Sequence, residues 1–428
     1  MSRLFSKLII LAITTLTFFG CSGTKAFKNK KPIIDRIEVY EENRLLKNNP
    51  VNFIITTTTN KKIFGIPVGK ILYETAHPEP KKQFSKWIDK KENRRKRLKN
   101  WISNKQILAL SNYGENFNKW LKKTGEPPSI LDTIALTNSK KRIIQYYKNL
   151  GYYNVQVKAQ KYQINKNKII LKYHIKPNEK YLIDSLNYTI QSSELDNILK
   201  ENLDGQIIKK GDPFEINKFE AERERLFLLF RNNGIYNFQQ NSIQFTAAID
   251  STGQDLKIPV NVKIENIRQR LNDTLIEVPY YKYKIKDVSV YLNNGNLEDN
   301  SSQYSDSIFY NNLNIFSQGK LKYRPKTITS GISIKAGELY SDKDRNLTYR
   351  YFTNLKNFKY PSINYSLIPG EENALRASIF LNPKERFSLG FDFDLSHSNI
   401  QDFGIGLGGG LGIRNVFRGA ELLELNIK

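Results

Sequence analysis

Near its C-terminus the chain alternates apolar and polar residues with a period of two. Phe387, Leu389, Phe391, Phe393 and Leu395 are interleaved with Ser388, Gly390, Asp392, Asp394 and Ser396. Phe403, Ile405, Leu407, Leu411 and Ile413 follow, interleaved with Gly404, Gly406, Gly408, Gly410 and Gly412. A third run opens with Leu423, Leu425 and Ile427 against Glu424, Asn426 and Lys428. Strict alternation gives a strand one apolar face and one polar or very small face. Strands of roughly ten residues with this pattern fit a transmembrane β-barrel with its apolar face in lipid. A soluble two-layer sheet has the same alternation, but the glycine run and the length of the strands favour the barrel. Three strands cannot span a bilayer alone, because open edges leave backbone groups unpaired in hydrocarbon. Residues 385–428 are therefore expected to open a longer barrel, in a truncated sequence.

Upstream, three segments repeat one order of elements: strand, helix, helix, strand, hairpin strand. In the first, Ile33 to Tyr40 alternates, and Ile143, Ile144, Tyr147 and Leu150 form the stripe of a helix that Asn138 or Ser139 could cap and Gly151 stops. Val155, Val157 and Ala159 go out, Asn165-Lys166-Asn167 turns, and Ile169, Leu171, Tyr173 and Ile175 return. In the second, Tyr181 to Ile190 is a strand, and Ser193 to Leu203 is a short helix. Asn217 and Glu220 resemble a capping box ahead of Phe219, Leu226, Phe227 and Phe230. Ile243, Phe245 and Ala247 then pair with Leu256 to Ile264. The third opens with Tyr283 to Tyr291. Asp344 could cap its helix, which carries Leu347, Tyr351 and Leu355, and Ile363 to Leu367 returns through Leu375 to Leu381. A Gly-acid phrase precedes the second helix each time: Gly125-Glu126-Pro127-Pro128, Gly211-Asp212-Pro213-Phe214 and Gly337-Glu338-Leu339-Tyr340. Repetition of a whole supersecondary unit constrains architecture more than any single residue does.

The boundaries that follow are 33–180 for the first module with a long insertion at 45–124, 181–270 for the second, and 280–384 for the third with an insertion at 292–325. The first insertion is expected to be partly helical, since Phe84, Trp87, Ile88 and Leu98, Trp101, Ile102 suggest amphipathic turns. The second is rich in Asn and Ser and is expected to be mobile.

The N-terminus changes the picture of location. Arg3 and Lys7 precede an apolar stretch from Leu8 to Phe19, and Gly20-Cys21-Ser22 follows. A core of about 12 residues is too short for a span and fits a signal peptide over 1–20. The one cysteine of the chain stands where a bacterial lipoprotein would be cut and lipidated, so Cys21 is the candidate lipid attachment site, followed by a basic tether at 21–32. An ordinary secretory signal with an incidental cysteine is the plainer alternative. One cysteine excludes an internal disulfide.

The net charge of +25 brings in a polyanionic partner. Lys81 to Asn100 holds ten basic residues and two acidic ones. A solvated helix face is the plainest reading. Contact with anionic lipid head groups is the functional one, through Lys86, Lys90, Arg94 and Arg97. The signal peptide argues against nucleic acid. Asp392, Asp394 and His397 cluster in sequence, but on an alternating strand His397 faces away from both aspartates. No metal site, cofactor, nucleophile elbow, P-loop or acid/base pair is expected, and the chain is not expected to be an enzyme.

The β-α-α-β-β order, three times ahead of barrel-like strands, resembles the POTRA repeats of outer-membrane assembly proteins. Leu150-Gly151-Tyr152-Tyr153 and Asn233-Gly234-Ile235-Tyr236 resemble the Gly-aromatic step of those repeats, and Arg414-Asn415-Val416-Phe417-Arg418-Gly419-Ala420-Glu421 resembles an early-barrel motif of the same insertase superfamily. With the lipobox and Trp120…Gly125-Glu126-Pro127-Pro128, the chain is similar to lipidated TamA-like proteins, called TamL. The resemblance implies an α+β fold: three tandem POTRA-like units, then the first strands of an antiparallel transmembrane β-barrel. It also implies a lipid-anchored outer-membrane factor with its N-terminal region in the periplasm. Such a factor captures unfolded outer-membrane client proteins by β-augmentation and helps to insert or export them. Outer-membrane lipid and a periplasm-spanning TamB-like protein are the other partners it implies. The client-binding residues and the binding edge are not legible in the sequence. The rival readings are a dedicated export pore of the same superfamily and a periplasmic scaffold lipoprotein without a barrel.

Overall fold

The computed structural model describes residues 32–90, 96–97, 100, 103–250, 254–271, 273–293, 304–396 and 404–427. The chain divides into two compact bodies. The first runs to Tyr181 and includes Pro213–Glu215 and a short piece starting at Asp250; the second holds the rest.

In the first body, β1 (Ile33–Glu41) runs parallel to β4 (Lys168–Lys176), which pairs antiparallel with β3 (Gln156–Asn165). A short β2 (Arg44–Leu45) folds back on the end of β1. Helix α1 (Val51–Ile54) lies inside the stretch expected to be insertion, yet Val51 is buried in the core with Ile143, Tyr147 and Leu171, so α1 serves as the module's short first helix. The insertion proper folds as α2 (Val68–Thr75), α3 (Pro80–Asp89) and α4 (Asn104–Thr124). Ser103 starts α4 with a reciprocal capping box to Gln106. Next, α5 (Thr133–Asn149) begins before the expected Asn138 or Ser139 cap. Asp132 is the cap, its carboxylate accepting from the Ile134 and Ala135 N–H groups. Ser139 is buried inside the helix, and its hydroxyl accepts from the Thr56 and Thr57 N–H groups. Polar Ser139 is thus a core tie.

In the second body, β5 (Leu182–Ile190) and β7 (Lys257–Ile264) are parallel, with β6 (Ile243–Ala247) antiparallel to β7. Two helices, α6 (Ser193–Lys200) and α7 (Ile216–Asn232), cover this sheet. Phe219, Leu226 and Phe230 of α7 are buried at helical spacing, and Asn217 lies within the helix. A hairpin, β8 (Ile267–Leu271) and β9 (Thr274–Val278), links to the next module. There β10 (Lys284–Leu292) runs parallel to β14 (Ala374–Pro383), which pairs with β13 (Phe358–Leu367). Its helices are α8 (Pro325–Thr329) and α9 (Asp342–Asn354). Ser341, not Asp344, caps α9, accepting from the Asp344 N–H. The insertion expected to be mobile instead contains β11 (Asp306–Tyr310) and β12 (Leu313–Ser317), a hairpin that pairs with β10. The final strands, β15 (Phe387–Ser396), β16 (Gly404–Arg414) and β17 (Leu422–Ile427), form an antiparallel meander. The fold is α+β: three POTRA-like modules, then the alternating sheet.

The repeat extends to single hydrogen bonds. The three parallel pairs of a module's first and last strands each shift register near their start, between Ile34 and Arg36, Ile183 and Ser185, and Ile285 and Asp287. Gly211 and Gly337 have φ of +88° and +90°, which only glycine adopts freely, and their N–H groups donate to the carbonyls of Ile183 and Ile285 at 2.7 Å. In turn the N–H groups of the same two isoleucines donate to the carbonyls of Asp212 and Glu338. The first Gly-acid phrase has a different role. Gly125 ends α4 with φ −77°, and a Cβ there would lie 2.5 Å from the Tyr73 nitrogen. The first module uses Ser129 instead, whose carbonyl accepts from the Ile34 N–H at 2.9 Å. The phrase therefore marks equivalent positions twice, not three times.

A second repeated element follows α5 and α7. In the first body, Gly151 (φ +93°) accepts at its carbonyl from the Tyr181 N–H, and Tyr153 packs edge-on to Tyr181 and Phe214. In the second, Gly234 (φ +99°) accepts from the Tyr283 N–H, and Tyr236 packs edge-on to Tyr283 and Tyr340. The second body adds a charged tie. Arg231 of α7 forks onto Asp342 of α9, with Nε–Oδ2 at 2.8 Å and Nη2–Oδ1 at 2.9 Å, and also meets the Tyr340 hydroxyl. Tyr340 donates to Asp342 at 2.6 Å. Burial works to raise the Asp342 pKa, but the hydrogen bonds from Arg231 and Tyr340 outweigh it and hold it below its ordinary 3.8. A carboxyl with a depressed folded pKa stabilises fully above its unfolded value and loses that contribution as pH falls through the folded one. Asp342→Asn is therefore expected to cost the second body about 2 kcal/mol at pH 7. The gap to wild type should narrow below pH 3.8, as checked by urea unfolding across pH.

Candidate functional site

A sheet edge is chemically active surface, because each unpaired N–H and C=O can pair with another chain. The first strand of each module shows this edge in three states. On β10 the outer side is closed. Gly337 and Glu338 occupy Ile285, then β12 pairs from Ser289↔Asn314 to Leu292↔Ser317, and the Gln318 N–H donates to the Leu292 carbonyl at 3.0 Å. Phe316, Tyr291 and Phe380 stack across β12, β10 and β14 with centroids 5.1 and 5.0 Å apart. On β1 the two ends are covered, by Ser129 at Ile34 and by β2 at Tyr40 and Glu41. On β5 only the start is covered, by Gly211 and Asp212 at Ile183. From Leu186 to Ile190 no main-chain bond is made on the outer side among the described residues.

The opposite edges differ in how they are blunted. Lysine, proline and bulges discourage strand addition. Exposed Lys158 and Lys161 lie on β3, while β13 has Lys359, Pro361 and a register shift between Lys359 and Ser362. Neither β5 (LIDSLNYTI) nor β6 (IQFTA) has a lysine, an arginine or a proline. The second module thus offers unblunted backbone on both sides of one sheet. Asn187 and Thr189 of β5 are exposed. On the helix that covers this sheet, Glu222 of α7 is fully buried and accepts a fork from Arg225 at 2.6 and 2.9 Å. Its carboxylate also accepts from the Ile207 N–H and from the Tyr188 hydroxyl of β5. Tyr188 is thereby held to the helix side, leaving its strand's edge unencumbered.

The alternating sheet is a second unusual surface. In β15–β17 the register sets Phe387 beside Ile413, Leu389 beside Leu411, Phe393 beside Leu407, and Leu411 beside Leu425. These apolar side chains share a face with Phe391, and all but the half-buried Ile413 are exposed, Phe391 at 83% and Leu407 at 72%. On the other face the glycines make room for neighbours. A Cβ on Gly412 would lie 2.5 Å from Ser388 Oγ, and one on Gly410 2.8 Å from Asn426 Oδ1. A contiguous exposed apolar face bordered by polar residues marks an interaction surface.

The turn 415–421 joins this sheet to the third module. Asn415, Arg418 and Ala420 all have φ between +53° and +64°, a strained choice for non-glycine residues. The Glu421 carboxylate holds the turn by accepting from the Phe417 and Gly419 N–H groups. Ala420 is buried in the third core, its carbonyl accepting from Asn357 Nδ2 at 2.6 Å. The Arg418 carbonyl accepts from the Arg324 N–H at 2.8 Å, and its guanidinium donates to the Leu321 carbonyl at 2.9 Å. The sequence marks this segment only by resemblance; its bonds to Asn357 and Leu321 make it a clamp.

Of the site residues expected from sequence, Cys21 and Arg94 lie outside the described residues. Lys86, Lys90 and Arg97 are exposed. Ile88 is the buried residue of α3, and Trp87 stacks on Phe84 at 6.1 Å. Leu98, Trp101, Ile102 and His397 also lie outside the described residues. Asp392 and Asp394 face Gly408 and Gly406 across the strand pair. No group of three His, Cys, Asp or Glu side chains among the described residues could hold a metal ion. No helix among them is long and apolar enough to cross a membrane.

Residues 98–178 match the POTRA family model, described as a surface antigen variable number repeat. Over these residues the chain is similar to a POTRA domain. No curated protein matches it by sequence. Similar solved structures include BamA from Haemophilus ducreyi lacking POTRA domains 1–3, at 12% identity and a TM-score of 0.35, covering 57% of this chain and 37% of that one. POTRA3–5 of BamA from Haemophilus influenzae is similar at 11% identity and 0.29, covering 58% and 80%. CdiB from Acinetobacter baumannii is similar at 13% identity and 0.24, covering 58% and 38%. The chain thus spans 37% of the length of the first of these.

If the 415–421 turn is the clamp, Ala420→Asp should release the sheet, because it puts an unpaired carboxylate into the third core. Limited proteolysis should then cut between the third module and β15. Asn357→Ala, which removes the Nδ2 bonds to the Leu355 and Ala420 carbonyls, should lower stability by about 2 kcal/mol without that cleavage.

Proposed function

We propose that the chain is an outer-membrane protein assembly or translocation factor that takes hold of unfolded client polypeptides through the second module. The observation that carries this reading is the free outer side of Leu186–Ile190 on β5, in a module whose two edge strands lack lysine and proline. A client strand adds there by main-chain pairing, with a grip tolerant of sequence because backbone groups supply it. A hydrogen bond contributes about 1 kcal/mol net, so a strand of five residues is held weakly enough to be passed on. No nucleotide chemistry is needed, and in this reading the chain is not an enzyme and uses no cofactor.

The exposed apolar face of β15–β17 supports placing the sheet in lipid as part of a barrel, rather than a periplasmic scaffold lipoprotein without one. The finer parts of the proposal rest on the sequence resemblance: a lipidated TamA-like protein anchored through Cys21, with its modules in the periplasm and a TamB-like partner spanning toward it. Exposed Lys86 and Lys90 would add contact to anionic lipid. A dedicated export pore would use the same edge on one partner only.

A photo-crosslinking residue at Asn187 or Thr189, in the full chain in its native membrane, should capture unfolded outer-membrane proteins. The same residue at Asn314, in the strand that closes β10, should not. Adding Lys at whichever of Asn187 and Thr189 does not carry the probe should weaken capture severalfold, as charge blunts an edge. Equal capture at Asn187 and Asn314 would contradict the proposal.

A further inference from the structure

A cleft of about 880 Å³ lies where the third module meets the alternating sheet. Three segments line it: the chain following β12, the link between β14 and β15, and the turn after β16. They bring together Lys320, Lys322, Lys384, Arg386, Arg414 and Arg418. Among the described residues none of these six forms an ion pair with a carboxylate. The one carboxylate in the lining, Glu385, bonds Lys359 at 2.6 Å. Arg414 is half-buried. Its Nη1 donates to the Ser388 hydroxyl at 3.1 Å and to the Glu385 carbonyl at 3.3 Å, while its Nε is buried without a partner. Arg418 donates to the Leu321 carbonyl at 2.9 Å, which fixes one wall.

Six like charges around one concavity repel each other, and a buried guanidinium N–H without an acceptor is costly. An anion with several oxygens relieves both. Arginine in particular matches phosphate by its planar fork of donors. Position narrows the choice. Arg386 immediately precedes Phe387, the first exposed apolar residue of β15, and Arg414 ends β16 beside it in register. The cations therefore sit at the rim of the apolar face. If that face is in lipid, as proposed above, the rim lies at head-group depth.

We infer that this cleft binds the phosphate of an anionic lipid head group, and so fixes the third module against the membrane surface. The test uses the full chain in nanodiscs of phosphatidylcholine mixed with phosphatidylglycerol, with the lipids that remain after detergent extraction measured by mass spectrometry. Phosphatidylglycerol should be enriched on wild type. The triple variant Lys322→Glu, Lys384→Glu, Arg386→Glu should lose that enrichment by about tenfold, while Lys158→Glu with Lys161→Glu, at exposed lysines of β3, should leave most of it. Inorganic phosphate alone, read by the shift in Tm, separates the sources. A Tm rise on wild type but not on the triple variant, without lipid enrichment, would assign the cleft to soluble phosphate and overturn the lipid assignment. No enrichment and no shift would overturn the site altogether. A chain that stays monodisperse in buffer without detergent would instead defeat the membrane placement on which this inference rests.

Discussion

Every sheet that does not close must leave backbone donors and acceptors unpaired along its edges, and the organisation of this chain follows from how those edges are disposed. Each module pairs its first strand in parallel with its last, so the first strand always has an outer side to satisfy. The early residues of that side are met by a short turn held by Gly211 or Gly337, or by Ser129 in the first module. The later residues are where the modules part. One is closed by a hairpin, one is capped at its end, and one is left free. Since free backbone binds extended chains with little regard to sequence, the difference sorts three similar folds into distinct roles.

The free edge is useful only if the sheet carrying it is firmly held. Glu222 and Arg225 tie α7 to Tyr188 and to the chain at Ile207, so the core behind β5 is fixed by charge as well as by apolar packing. Arg231 and Asp342 then couple α7 to α9 within the second body. The aromatic cluster of Tyr236, Tyr283, Tyr340 and Tyr365 surrounds that pair. At the far end of the third module, burial of Ala420 and the bond from Asn357 clamp the alternating sheet. A continuous set of packed contacts thus runs from the free edge to the apolar face.

Much of this architecture was legible in the residues. The period-two runs of β15–β17 and the stripes of Ile143 and Tyr147 or Phe219, Leu226 and Phe230 report burial directly, because side-chain periodicity is set by local geometry. Caps were harder. Asp132 lies six residues before Asn138, and the intervening Ile134, Ala135 and Leu136 did not stand out as the first turn of the same helix. The hairpin β11–β12 was missed because Asn and Ser dominate its surroundings. Its signal was nonetheless there: Asn311-Asn312, with φ of +52° and +58°, forms a two-residue turn between alternating Ile308, Tyr310 and Leu313, Ile315. The Gly125 phrase misled because a glycine needed for close approach of Tyr73 and Gly69 looks the same in sequence as one needed for positive φ. The free edge and the cationic cleft were beyond sequence reasoning, since both depend on which strands remain unpaired and which distant turns converge.

The central claim is that the outer side of β5 accepts an extended chain. Hydrogen exchange of the backbone amides of the second module, with and without a peptide of alternating apolar and polar residues, tests it most directly. The account predicts that the outward amides of Leu186, Tyr188 and Ile190 exchange rapidly in the free protein and become protected on peptide addition, while those of Ser289–Leu292 are protected throughout. Peptide binding that leaves the amides of Leu186, Tyr188 and Ile190 exchanging as before would contradict it.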